Sequence, residues 1–95
     1  ITPIANLQNG QTATVLGKVV GKRLIRGGRG KGRPQMQFEA TIADQTGRLN
    51  LFWFRAFPSL EEEFAEGDTF LVYGEVSFFG GFPKITHPDY EKVKE

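Results

Sequence analysis

Residues 12–25, TATVLGKVVGKRLI, read as one long strand, and that reading decides the fold. Val15, Gly17, Val19 and Gly21 fall on one face, and Leu16, Lys18, Val20, Lys22 and Leu24 on the other, so both faces are partly apolar. A glycine inside a strand weakens a flat sheet but suits one that bends sharply or carries a bulge. Gly17 and Gly21 therefore predict a curved strand that serves two sheets of a small barrel. The next segment, RGGRGKGRP at 26–34, carries four glycines and four basic residues and ends on a proline, which predicts a flexible basic loop. From residue 35 the pattern alternates cleanly. Met36, Phe38, Ala40 and Ile42 point inward, and Gln35, Gln37, Glu39 and Thr41 outward. Asp44-Gln45-Thr46-Gly47 supplies turn residues, and Arg48–Phe54 is a third strand with Leu49, Leu51 and Trp53 on its inner face.

One short helix follows. Ser59 with Glu62 fits a capping box, acids at 61–63 suit a helix N-terminus, and Leu60 and Phe64 share a face before Glu66-Gly67-Asp68 ends it. Thr69–Ser77 reads as strand four, Phe79-Gly80-Gly81 as a turn, and Phe82–Thr86 as strand five, with Pro83 marking an edge. Five antiparallel strands with a short helix between the third and fourth make an all-β, Greek-key OB-fold barrel. An SH3-like barrel is the rival architecture, but it lacks that helix.

Ninety-five residues make one domain, 1–95, with one small core. The absence of cysteine excludes disulfides and thiolate zinc sites. No apolar run exceeds four residues and no signal-peptide pattern opens the chain, so no membrane partner is expected. The start at Ile1 predicts a piece excised from a larger protein.

The net charge of +1 hides a strong asymmetry. Residues 1–38 carry seven basic side chains and no acid, namely Lys18, Lys22, Arg23, Arg26, Arg29, Lys31 and Arg33; the remainder nets −6. Clustering within 18–33 points to a polyanion, with these seven residues on a phosphate backbone, which is that of DNA if the resemblance given below holds. Catalysis finds no support. His87 is the only histidine, no carboxylate pair is forced beside it, and the glycine segment lacks both the Ser/Thr after Gly-Lys and the G-x-G-x-x-G spacing of nucleotide loops. Twelve aromatics supply the second ingredient of nucleic-acid binding. Phe38, Trp53, Phe64 and Phe70 belong to the core, whereas Phe52, Phe54 and Phe57 are either covered by the helix or exposed to stack on bases.

The chain resembles the wedge domain of the RecG-type ATP-dependent branched-DNA helicases. The resemblance runs through Thr2-Pro3-Ile4, Gly10-Gln11, Ala43-Asp44-Gln45-Thr46-Gly47, Leu49-x-Leu51, Trp53-Phe54, Tyr73-Gly74-Glu75-Val76 and His87-Pro88-Asp89-Tyr90. It implies a domain that engages stalled forks and junctions, joined to helicase motor domains that hold ATP and Mg. No cofactor is implied for the domain itself, which is not an enzyme alone. It also implies a DNA repair and recombination setting in a bacterial cytoplasm. By position, base stacking at the branch point falls on Phe54 and Phe57, supported by Phe52 and Arg55. Arg55 stands where the family often has Asn, and Phe52 where it has Arg. A monomer binding branched or single-stranded DNA is expected. The alternatives are a generic single-stranded DNA or tRNA-binding OB module and, further off, a protein-interaction barrel. Within His87-Pro88-Asp89-Tyr90, an architectural segment is expected, with Pro88 holding His87 extended and Tyr90 packing its ring while its hydroxyl stays wet.

Overall fold

A computed structural model of the chain describes residues 1–26 and 35–94. Arg29, Lys31 and Arg33, and the rest of the basic loop beyond Arg26, lie outside the described residues. After a 3₁₀ turn at Ile4–Asn6 come β1 (Thr12–Arg26), β2 (Met36–Ala43), β3 (Arg48–Trp53), α1 (Ser59–Glu63), β4 (Thr69–Phe79), β5 (Phe82–Thr86) and β6 (Asp89–Lys92). The sheet order β1-β2-β3-β5-β4 closes on itself through a β1–β4 pairing, with β6 added beside β4. This is the OB-fold barrel expected from the element order.

The long first strand performs the double duty its glycines imply. Thr12–Lys18 pair with β4 and Lys18–Arg26 with β2, so Lys18 has a ladder partner on each side, Thr69 and Ala43. Between Val19 and Gly21 the register slips by one residue, which makes Val20 the bulged position. There the Val19 amide donates to the Asp68 carbonyl (2.8 Å), and the Val19 carbonyl accepts from the Gly67 amide (2.9 Å). The bulge also exchanges the two faces. Val15, Gly17 and Val19 face the core before it, whereas Lys22 and Leu24 lie opposite the inward Ala40 and Phe38 after it. Simple alternation puts Lys18 and Lys22 together; the bulge separates them.

Three further details depart from the sequence reading. The ring contains one parallel pairing, β3–β5, rather than being all antiparallel, because α1 and β4 carry the chain across the barrel before the tight turn into β5. At the helix start, the N-cap is Pro58 in a helical conformation without a side-chain cap. The proline ring presets φ there, so Ser59 becomes the first helical residue and no capping box forms. A sixth strand forms after His87-Pro88, pairing Asp89–Lys92 with Phe70–Tyr73.

The core is the inner face of the ring. Phe38, Ala40, Ile42, Leu49, Leu51, Val15, Val72, Val76 and Ile85 are fully buried, and Leu60 and Phe64 of the helical segment plug one end. Gly74 is required by closeness, since a Cβ there would stand 2.6 Å from Ile85 Cγ2. At the β2–β3 turn Asp44 gathers four hydrogen bonds, from the Thr46 hydroxyl and amide, the Gly47 amide and the Ile4 amide of the N-terminal segment. Partial burial pushes the Asp44 carboxyl up, but these donors outweigh it and hold the pKa below the ordinary 3.8.

Tyr90 sits on β6 with its ring against Phe64 (4.9 Å between centroids), Trp53 (6.0 Å) and Phe70 (6.1 Å). Its hydroxyl is not simply wet, because it donates to Glu63 Oε1 at 2.9 Å. Burial lifts its pKa from 10.0 to about 12, and the hydrogen bond and charge of Glu63 push the same way. The folded state therefore keeps this proton where the unfolded chain has released it. Stability from this source is complete below pH 10.0 and is lost as pH rises through about 12. Tyr90→Phe should keep the fold and flatten that alkaline loss, read as denaturant midpoints at about pH 9 and about pH 11.5. An equal alkaline loss in both proteins would place it elsewhere.

Candidate nucleic-acid interface

The outer face of β1, β2, β3 and β5 is where the side chains of interest meet. Ladder register sets two rows across it: Gly21, Thr41, Asn50, Lys84 and Ser77, then Arg23, Glu39, Phe52 and Thr86. Phe54 follows Phe52 on the same side, and the two rings meet edge to face at 4.8 Å. Lys84 Nζ lies over the Phe52 ring at 5.0 Å and over the Phe79 ring at 5.8 Å. Phe79 in turn pairs with Phe82 across the β4–β5 turn, where Gly80 and Gly81 take φ of +61° and +86°. The result is a continuous strip, Phe54–Phe52–Lys84–Phe79–Phe82, running from the end of β3 to the tip of the β4–β5 hairpin.

Much of this strip is open. Phe79 is 79% exposed, Phe82 69% and Phe54 50%. Phe57 is 46% exposed and projects from the connection before α1, as does Arg55. The helix therefore covers neither Phe54 nor Phe57; it plugs the barrel end with Leu60 and Phe64 instead. Phe52 is half-buried between Phe54 and Lys84.

His87 braces the strip from behind. Its amide donates to the Phe52 carbonyl (2.7 Å), and its Nε2 accepts from the Phe54 amide (3.2 Å). These bonds hold it at φ +51°, in the left-handed region and not the extended one that Pro88 implies. Histidine tolerates that region better than most side chains, and here both ladder groups at the end of β3 are satisfied by it.

The basic residues divide. Lys18 and Arg48 flank Ala43 in one row of the outer face, and Lys84 lies within the strip. Arg23 is on this face but is paired with Glu39 at 3.3 Å. Lys22 is not on it: after the bulge it turns toward α1, and its Nζ donates to the Glu61 carbonyl near the end of the helix. Arg26 is the exposed last residue of β1, at the mouth of the β1–β2 connection. Glu39 is an acid within this face, whereas Glu61, Glu62 and Glu63 lie on α1 and Asp89 and Glu91 on β6. Sequence reasoning missed Phe79, Phe82, Lys84 and Arg48. The visible signal was Phe-Phe-Gly-Gly-Phe at 78–82, three large apolar side chains around a turn too tight to bury them.

A family profile described as "OB-fold nucleic acid binding domain" (tRNA_anti-codon) matches residues 13–93. The chain belongs to that family. Its OB domain is similar to solved structures of archaeal proteins. A replication factor A related protein from Methanobacterium thermoautotrophicum superposes with a TM-score of 0.73 at 24% identity, over 98% of this chain and 90% of that one. The second OB-fold domain of replication protein A from Methanococcus maripaludis gives 0.70 at 18%, over 99% and 95%. An OB domain from Thermoplasma acidophilum gives 0.70 at 17%, over 99% and 87%. At these identities the likeness shows the fold. No curated protein matches the chain. The strip runs from strand three to the β4–β5 connection, and in OB-folds the strand-three face and that connection are among the surfaces that take oligonucleotides.

Proposed function

We propose that this OB domain binds single-stranded nucleic acid by stacking bases along the Phe54–Phe52–Phe79–Phe82 strip, with Lys84 and the basic β1–β2 connection on the phosphates. The observation that carries the reading is the continuity of the strip, in which the largely exposed rings of Phe54, Phe79 and Phe82 lie along a path with a cation inside it. Every base has a π-face, so such a platform takes strands of any sequence, and duplexes, whose bases are already stacked, gain little from it.

A second reading gives that single strand a source. The resemblance to RecG-type wedge domains favours DNA arms parting at a fork, with Phe54 and Phe57 against the first unpaired bases. Helicase motor domains, with ATP and Mg, then belong to other parts of a longer chain. Phe57 and Arg55 stand exposed beside the Phe54 end of the strip, which suits a contact at a branch point.

Binding of one domain to a single strand, a linear duplex and a model fork, each at several salt concentrations, tests both readings. The stacking reading expects the single strand to be preferred over duplex; the wedge reading expects the fork to exceed an equal length of free single strand. Equal affinity for duplex and single strand would sink the first, and a fork no better than its arms the second. Replacing Arg26, Arg29, Lys31 and Arg33 by Gln should also flatten the salt slope, by roughly 0.7–0.9 for each phosphate that the variant no longer neutralises. An unchanged slope would remove the connection from the interface.

A further inference from the structure

The parallel β3–β5 ladder changes its acceptor where it reaches the Phe54 end of the strip. The His87 amide donates to the Phe52 carbonyl, as the residue after Thr86 does in a regular parallel pairing. In that pairing the His87 carbonyl would accept from the Phe54 amide. Here the Phe54 amide donates to the imidazole Nε2 instead, at 3.2 Å, with His87 at φ +51°. An acceptor that cannot titrate has been replaced by one that can. The neutral ring accepts at Nε2 and carries its proton on Nδ1; the imidazolium has donors at both nitrogens and cannot hold the amide. Phe54 has little else to place it. It lies one residue beyond β3, is half exposed, and its ring meets Phe52 edge to face and His87 at 6.1 Å between centroids.

We infer that His87 is a positioning residue for base stacking: its neutral ring holds Phe54 in the strip, and its protonation releases Phe54 and weakens the grip on a single strand. The inference rests on the stacking role proposed above for Phe54. His87 is exposed, so protons reach it freely. It is the chain's only histidine and there is no cysteine, so no other side chain ordinarily titrates between pH 5 and 8. The charged groups on the elements that meet it are Arg55 after Phe54, Glu39 opposite Phe52, Lys84 on β5 and Asp89 on β6. Among the described residues none of them forms an ion pair with the imidazole. The direction of the effect separates this role from plain electrostatics. A proton gained by His87, by the N-terminal amine or by a carboxylate adds positive charge, and charge alone tightens the hold on phosphates. Release of Phe54 acts the other way.

The probe is oligo(dT) of about ten nucleotides, within the usual reach of one OB domain. Its thymines do not titrate in this range. In about 0.3 M salt, which screens one added charge, anisotropy titrations should give about three- to tenfold weaker binding at about pH 5.5 than at about pH 8, the effect of one hydrogen bond lost. Thermal melting should show a folded chain at both pH values. His87→Gln puts an amide oxygen, which does not titrate, close to the place of Nε2. It should bind more tightly than His87→Ala at about pH 8 and show no acid loss. Phe54→Ala should show none either, because nothing is left for His87 to position. Equal or tighter binding by the natural chain at about pH 5.5 would overturn the inference and leave the stacking role intact. So would an acid loss that persists in His87→Gln or Phe54→Ala, or one that follows unfolding of the chain. Failure to bind oligo(dT) at about pH 8 would instead remove the stacking role, and the inference with it.

Discussion

Phe64→Ala should cost about 3–5 kcal/mol of stability, the range for an aromatic deleted from a packed core. Phe64 is fully buried, stacks on Phe70 with centroids 4.2 Å apart and planes 15° from parallel, and touches the rings of Tyr90, Trp53 and Phe38 at 4.9, 5.2 and 6.0 Å. It follows directly on α1, with its amide donating to the Leu60 carbonyl at 3.0 Å, so its ring ties that helix to four other side chains. A helix of five residues has almost no stability of its own, and removing this anchor should release the plug as well as open a cavity. Since domains of this kind are stable by about 5–15 kcal/mol, the variant should be marginal at room temperature. Chemical denaturation measures the effect, and Phe64→Leu should recover part of it. A loss below about 1 kcal/mol would mean that the helix does not close the barrel.

The second large effect is on binding. Phe54→Ala with Phe79→Ala should weaken a single strand by about 2 kcal/mol or more, roughly thirtyfold, taking the low end of about 1–3 kcal/mol per stacked base at each site. The two residues lie toward opposite ends of the strip with Lys84 and Phe52 between them, so their contributions should be close to additive. Both rings are largely exposed, so melting should move little, unlike the outcome for Phe64. Duplex binding should be almost unchanged. Equal weakening of all nucleic acids, or a drop in melting temperature comparable to that of Phe64→Ala, would contradict the stacking role.

These predictions mark how far the chain could be read before folding. Alternation in β2 and β3 sorted Phe38, Ala40, Ile42, Leu49, Leu51 and Trp53 to the inside, because a period of two has only two outcomes and one of them buries the apolar set. The same logic, carried through β1, put Lys22 beside Lys18, since a bulge leaves no mark in an alternation pattern beyond the presence of glycine. His87 was legible as part of an architectural segment but not in its conformation, because the bonds that hold it at positive φ come from Phe52 and Phe54, far away in sequence.

The site divides in the same way. Charge segregation and an excess of aromatics are compositional, and they were enough to point to a polyanion and to base stacking. Which aromatics share a surface is decided by ring closure. The parallel β3–β5 pairing places Lys84 against Asn50 and Phe52 from more than thirty residues away. The β4–β5 pairing then adds Phe79 and Phe82 to the same face as Phe52 of strand three and Phe54 just beyond it. Local sequence determines periodicity, turns and charge because these depend on neighbours within a few residues. The strip depends on which strand edges find each other when the barrel closes, and that long-range register exists only in the folded chain.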